Sequence, residues 1–230
     1  MYKVCLVEDE KNLNSLIKSY LEKEGYEVIS CYNGRDAIDK IQDTEIKLWI
    51  LDIMLGDSVS GYDIIKEVRK TNVNVPVIFT SARDQDLDKI IGLELGSDDY
   101  ITKPFNSLEL VARVKSAIRR YKQYNNYKTD EEKIYIDGLE ICKEQHKCLL
   151  YDKEIDLTPI EFDILLYLAS KKGEVVSSEE LFEKVWKEKY LDNNNTVMVH
   201  IRRIREKLKE DTKNPKYIKT VWGVGYKIDE

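Results

Sequence analysis

Along the first 120 positions, short unbroken apolar runs alternate with apolar stripes at helical spacing. Lys3–Val7 reads as a strand whose last residues, Cys5, Leu6 and Val7, lead straight into Glu8-Asp9-Glu10. Leu13, Leu16, Ile17, Tyr20 and Leu21 then recur at the period of a helix with one buried face, and Gly25 is placed to end it. The same alternation predicts a strand at Glu27–Cys31, a short helix at Arg35–Ile41 and a buried strand, Leu48–Leu51, ending at Asp52. A helix at Gly61–Lys70, a strand at Val75–Thr80, another helix, a short strand around Tyr100 and a helix at Ser107–Tyr121 complete the series. Five strands interleaved with five helices predict an α/β doubly wound, parallel five-stranded sheet covered on both faces.

Beyond that point the pattern changes. Tyr121–Lys133 is polar and without apolar period, which predicts a linker, so the expected division is 1–121, 122–133 and 134–230. Ile134–Leu157 reads as short antiparallel strands with a turn at Asp137-Gly138. Helical stretches follow at Pro159–Ser170, Ser178–Trp186 and Asn195–Lys209, then a closing hairpin with Gly223 and Gly225. There is no internal repeat and no low-complexity tract.

Composition narrows the class. The 230 residues are long enough for two domains, and 42% hydrophobic with 35% charged residues describes a folded, soluble chain. No apolar run reaches membrane-spanning length and MYKVCLVEDE lacks a signal peptide's regions, so a cytoplasmic protein with no membrane partner is expected. Cys5, Cys31, Cys142 and Cys148 show neither C-x-x-C nor zinc spacing and are expected as free thiols. A net charge of −6 argues against a protein that coats nucleic acid indiscriminately, but not against a basic surface on one domain.

The candidate chemistry sits at strand ends. Glu8 and Asp9 follow the first strand and Asp52 the third, and in a doubly wound sheet those ends converge on one crevice. Crowded carboxylates repel unless a cation joins them, and hard oxygen ligands suit Mg²⁺. Ser81 ends the fourth strand and Lys103 follows the fifth, so a hydroxyl and an amine aim at the same crevice. Together they supply what a phosphorylated carboxylate needs: cations on the phosphoryl oxygens and a hydrogen-bond donor. Any one of these residues alone would read as a helix cap or a solvated surface group; the five together, at one sheet edge, read as a site.

V-E-D-E (7–10), L-D-I-M-L (51–55), T-S-A-R (80–83) and D-D-Y-I-T-K-P-F (98–105) resemble, in order and spacing, the receiver domain of two-component response regulators. That resemblance implies a flavodoxin-like fold with Asp52 as phosphoacceptor. It implies Mg²⁺ held by Glu8, Asp9, Asp52 and the Met54 carbonyl, and a cis Lys103-Pro104 bond. Ser81 (with Thr80 as rival) and Tyr100 stand at the switch positions. A phosphatase of the haloacid-dehalogenase kind would need a second aspartate where Met54 stands, so no turnover enzyme is expected. Neither Met54 nor Arg83 offers a group to orient an attacking water, which predicts a long-lived aspartyl phosphate. The chain departs from the family after Leu55: Gly56 replaces the usual proline and Asp57 adds negative charge, which predicts a looser loop.

The same resemblance, to the OmpR/PhoB family, implies a symmetric receiver dimer formed on phosphorylation. Lys89 would pair with Glu109, Glu94 with Lys115 and Asp99 with Arg113, around Ile90, Leu93 and Ala112.

In the second half, Thr196–Lys209 is an amphipathic helix with Val197, Ile201, Ile204 and Leu208 as its core stripe. His200, Arg202, Arg203, Arg205, Lys207 and Lys209 load its other faces, and such a helix fits a major groove. L-T-P-I-E-F-D-I-L-L (157–166), E-E-L-F-E-K-V-W (179–186), V-M-V-H-I-R-R-I-R-E-K-L (197–208) and T-V-W-G-V-G-Y (220–226) resemble the OmpR-type winged helix, an α+β DNA-binding domain. The resemblance implies a recognition helix at Thr196–Lys209, a wing at Val221–Tyr226 carrying Trp222 and Gly223, and DNA with tandem or repeated half-sites as partner. By analogy alone, the segment between Trp186 and Thr196 would touch RNA polymerase. Asn195 and Trp222 stand where the family usually has arginine, and Met198 where it has aspartate. An indole cannot supply the cation that a narrow minor groove attracts, so altered minor-groove reading is expected, while loss of Arg203 should cost affinity.

Two classes of function follow. One is a phosphorylation-controlled DNA-binding transcription regulator that takes its phosphoryl group from a sensor histidine kinase. The other is a phosphorylation-independent DNA-binding regulator using the receiver only as a dimer module. The joint presence of Asp9, Asp52, Ser81 and Lys103 favours the first.

Overall fold

The computed structural model describes residues 2–56, 58–82, 86–125, 133–187, 190, 196–211 and 214–229. The chain divides into two compact units, Met1–Tyr121 and Lys122–Glu230.

In the first unit the strands are β1 (Tyr2–Val7), β2 (Tyr26–Cys31), β3 (Ile46–Asp52), β4 (Val77–Ser81) and β5 (Asp99–Thr102), in the order β2-β1-β3-β4-β5. All neighbours are parallel, and this is the doubly wound order whose ligand crevice lies at the carboxyl ends of β1 and β3. Alternate strand residues face opposite layers. Cys5, Val7, Trp49, Leu51, Val77 and Phe79 meet Ile64, Ile65 and Val68 of α3 (Gly61–Thr71) on one side. Val4, Leu6, Leu48, Ile50 and Ile78 meet Ile17 and Leu21 of α1 (Lys11–Lys23) and Val114 and Ala117 of α5 (Ser107–Asn125) on the other. Each such fully buried aliphatic side chain contributes about 1.5–3 kcal/mol.

Register delivers the site. Val7 lies opposite Cys31 and Leu51, Asp52 opposite Thr80, and Ser81 opposite Thr102, so the strand ends form one edge. Gly61 starts α3 because a Cβ there would sit 2.3 Å from the Asp52 carbonyl. Ser60 and Asp63 cap that helix reciprocally. Helices α2 (Gly34–Ile38) and α4 (Asp86–Glu94) complete the five.

The second unit opens with an antiparallel sheet, β6 (Lys133–Ile136), β7 (Leu139–Cys142), β8 (Lys147–Leu150) and β9 (Lys153–Glu154). Three helices follow, α6 (Pro159–Ser170), α7 (Ser178–Trp186) and α8 (Thr196–Lys207). The hairpin β11 (Ile218–Val221) and β12 (Gly225–Ile228) pairs through β12 with β10 (Val176–Ser177). Gly225 is required there, since a Cβ would lie 2.0 Å from the Val176 carbonyl oxygen. One core, with Phe162, Leu165, Phe182, Trp186, Ile201 and Ile204 at its centre, holds the unit together.

Several boundaries differ from expectation. Helix α5 runs to Asn125 rather than Tyr121, so the expected linker at 122–133 begins as helix, and 126–132 lie outside the described residues. Helix α8 starts at Thr196, and Asn195, Asp57 and Arg83 lie outside the described residues, as do most positions between Trp186 and Thr196. Strand β10 went unanticipated because two residues carry no period. The four cysteines are buried free thiols.

Candidate functional site

Glu8 and Asp52 are almost completely buried at the ends of β1 and β3, with Asp9 exposed beside them. Oxygens of the three carboxylates lie within 4.8 Å of one another. At that separation each like-charge pair costs roughly 3–4 kcal/mol at an effective dielectric near 20. Lys103 reaches in from β5 and places Nζ 2.6 Å from Glu8 Oε2 and 2.6 Å from Asp52 Oδ2. Three carboxylates against one ammonium leave two negative charges uncompensated, which a divalent hard cation would neutralise. The residues present therefore fit Mg²⁺.

Burial, with the Asp52 charge adding to it, raises the Glu8 pKa above the ordinary carboxylate range despite Lys103. Burial alone would lower Lys103, but the bonds to Asp52 and Glu8 outweigh it and raise the amine further. Backbone amides orient the acids: Met54 N donates to Asp52 Oδ1 (2.9 Å) and Gly56 N donates to Asp9 Oδ2 (3.1 Å). A proline at position 56 has no N–H, so this second bond exists because of the departure noted above. The glycine ties its loop to Asp9 instead of only loosening it. Asn14, fully buried, donates from Nδ2 to the Glu8 carbonyl (3.0 Å) and the Cys31 carbonyl (3.3 Å), pinning the end of β1. Sequence reasoning passed over it because a lone asparagine in a helix carries no signal.

Ser81 is buried as the last residue of β4, and the Lys103 N–H donates to its carbonyl at 2.6 Å. The Lys103-Pro104 bond is cis. Tyr100 is turned inward, buried with Phe79 around Gly92. Arg69, equally unforeseen, binds the Gly96 carbonyl, the Val75 carbonyl and Asp98, and Asp98 also accepts from Val77 N. That clamp fixes β4 against the turn into β5.

On the face of α4, β5 and α5, the expected surface set is corrected in part. Leu93 is fully buried and contributes to the unit's interior, not to its surface. Asp99 and Arg113 pair within one chain at 2.7 Å, and Arg113 also holds Glu109 at 2.9 Å, one helical turn away. Lys115 pairs with Glu24 at 2.6 Å. Lys89 and Ile90 are half-buried, Glu94 and Ala112 are exposed, and Ile91 and Leu108 add exposed apolar surface.

The largest corrections fall on α8. His200 is 0% exposed and lies against Trp186 at 5.6 Å, and Thr196 is also buried, so neither presents a side chain to a groove. Glu161, fully buried on α6, forms an ion pair with Arg203 at 3.0 Å and accepts a hydrogen bond from Lys207 Nζ at 2.6 Å. Arg205 donates to the Ile218 carbonyl (2.6 Å) and to Thr220 Oγ1 (2.8 Å). These three cations join α8 to α6 and β11. The outward face instead carries Met198, Arg202 and Glu206, with Arg202 on Glu206 at 3.0 Å, and Lys209 is exposed in the turn just past the helix. At the turn between β11 and β12, Gly223 takes a left-handed conformation (φ 74°) and Trp222 projects with 90% of its surface exposed.

A doubly wound unit with an acid-lined, lysine-bridged crevice, followed by a winged helix, defines a phosphorylation-responsive DNA-binding regulator. Two family descriptions match: response regulator receiver domain over residues 4–115, and transcriptional regulatory protein, C terminal, over residues 152–228. The chain is 53% identical to regulatory protein VanRc of Enterococcus gallinarum and 46% identical to regulatory protein VanR of Enterococcus faecium, each over 230 residues and 99% of both chains. Among solved structures, a RitR mutant is similar at 30% identity, with all of both chains covered and a TM-score of 0.73. The Thermotoga maritima OmpR/PhoB homologue DrrB is similar at 34% identity, again over all of both chains, with a TM-score of 0.53. The chain belongs to the OmpR/PhoB family of two-component response regulators, transcription regulators controlled by phosphorylation. Receiver domains of this kind bind Mg²⁺ at an acidic pocket, and the family's partners are DNA and a histidine kinase. No described helix is long and apolar enough to cross a membrane.

Proposed function

We propose that Asp52 is the phosphoacceptor and that its phosphorylation, by a sensor histidine kinase, controls dimerisation and promoter binding. The observation that carries this reading is the bridging of Asp52 and Glu8 by Lys103 at 2.6 Å each, beside a third carboxylate. Glu8, Asp9, Asp52 and the Met54 carbonyl would hold Mg²⁺, which when bound supplies positive charge to the phosphoryl oxygens. An Asp52 carboxylate oxygen attacks phosphorus, the O–P bond forms, and the N–P bond to the donor histidine breaks. Lys103 then exchanges its carboxylate contact for a phosphoryl oxygen, and the Ser81 hydroxyl donates to another. Ser81 moves toward the phosphoryl group, and Tyr100, already inward, is held behind it.

The dimer uses Lys89 with Glu109 and Glu94 with Lys115, with Ile90, Ile91, Leu108 and Ala112 between them. Asp99 and Arg113 exchange their internal pair for the same pair across the two-fold axis, a trade of nearly equal contacts. Arg202, Lys209, Trp222 and Gly223 face DNA, while Arg203, Arg205 and Lys207 brace the recognition helix. RNA polymerase contact by the segment before α8 rests on family analogy.

The test is direct. The chain incubated with acetyl phosphate and Mg²⁺ gains one phosphoryl unit by mass spectrometry, mapped to the peptide holding Asp52, and Asp52→Asn gains none. Equal uptake by the variant would refute the assignment.

A further inference from the structure

We infer that Met198 is a specificity-determining residue that reads the 5-methyl group of a thymine in the major groove. The inference rests on the proposed DNA contact by α8 and deepens it. Four of the helix's polar side chains are committed inward: His200 is buried, Arg203 and Lys207 hold Glu161, and Arg205 holds β11. Along the face opposite the core, positions 198, 202 and 206 recur at helical spacing and carry Met, Arg and Glu, while Lys209 lies exposed just past the end of the helix. Glu206 repels phosphate and engages Arg202, so this face is poor in cations for a recognition surface.

What it has instead is an apolar end. Met198 is the third residue of α8 and 50% exposed. In helix-turn-helix readers the N-terminal residues of the recognition helix meet base edges while the preceding helix crosses the backbone. The apolar feature a base pair shows in the major groove is the thymine methyl group. A flexible thioether can follow it without leaving a polar group unsatisfied. Among the described residues, none on the exposed face at this end offers the acceptor that cytosine N4 would need or the bidentate donor that guanine would need. Arg202, one turn further along, is the candidate for the neighbouring guanine or phosphate.

The experiment uses the full chain, treated with acetyl phosphate and Mg²⁺, to select duplexes from a random pool. Each thymine of the selected half-site is then replaced by deoxyuridine, which removes only the methyl group. At one thymine the replacement should weaken binding about fourfold, the burial of one methyl. Met198→Ala should bind thymine and uracil there equally, and Met198→Asp should shift the preference toward cytosine, whose N4 amino group a carboxylate accepts. Both changes are at an exposed position and leave the core intact, which circular dichroism will verify. If a half-site is selected but no thymine depends on its methyl group, or the dependence survives in Met198→Ala, the inference is overturned. If no sequence is selected at all, the DNA-contact reading fails and this inference falls with it.

Discussion

Replacing Glu161 by Gln removes one buried negative charge and almost nothing else. Glutamine keeps the volume and can still accept from the Thr158 N–H, which Glu161 Oε2 does at 2.8 Å, so the helix cap survives. What is lost is the counter-charge of Arg203 and Lys207, whose side chains are 12% and 26% exposed. Breaking a buried pair by removing one partner costs about 3–5 kcal/mol. Lys207 can swing partly into water, which places the loss near the lower end, about 3 kcal/mol. For a unit of roughly a hundred residues that lowers Tm by roughly 12–24 °C. Burial pushes the Glu161 pKa up, but Arg203 and Lys207 more than offset it, so the folded value lies below the unfolded one. Its stabilisation is therefore complete above about pH 4.3 and lost as pH falls through the folded value. Calorimetry of the full chain at pH 7 and at successively lower pH should show a wide gap between wild type and Glu161→Gln that narrows only in acid. The two released cations should also steepen the salt dependence of DNA binding by up to about 1.8 in slope. A stability loss under about 1 kcal/mol at pH 7 would refute the view that this cluster braces the recognition helix.

Three further outcomes are expected. His146, stacked on Phe162 at 4.5 Å, has its pKa pushed down to about 4 by burial, so the second unit should lose roughly 3 kcal/mol between pH 6.5 and 4; His146→Gln should flatten that pH profile in urea titrations. Trp222→Arg should tighten binding to sites flanked by A-tracts and steepen the salt slope by about 0.9; unchanged affinity and slope would exclude wing contact with the minor groove. The aspartyl phosphate should persist for minutes or longer when loss of radiolabel is timed, since the exposed Met54 side chain offers no group to orient water; decay in seconds would contradict it.

The acidic site was legible because each member ends a strand, and parallel pairing brings strand ends to one edge whatever the loops do. Glu8, Asp9, Asp52, Ser81 and Lys103 needed only strand order to be placed together. The DNA face was less legible because charge on a helix does not say where that charge is spent. Arg203 and Lys207 find Glu161 more than 40 positions earlier, and locally Glu161 only closes the capping box with Thr158. His200 was assigned outward by type, yet the buried side of α8 is wide enough to include Thr196, Val197, Val199 and His200 together. Asn14 and Arg69 act through carbonyls of distant segments, contacts that no local pattern encodes.

The claim on which the rest depends is that charging Asp52 changes DNA binding. Fluorescence anisotropy with a selected duplex, at fixed salt and Mg²⁺, measures it with and without acetyl phosphate for wild type and Asp52→Asn. Phosphorylation should tighten wild-type binding between about 5- and 150-fold and leave the variant unmoved. Equal affinities for phosphorylated and unphosphorylated wild type, or an equal response from Asp52→Asn, would contradict the account.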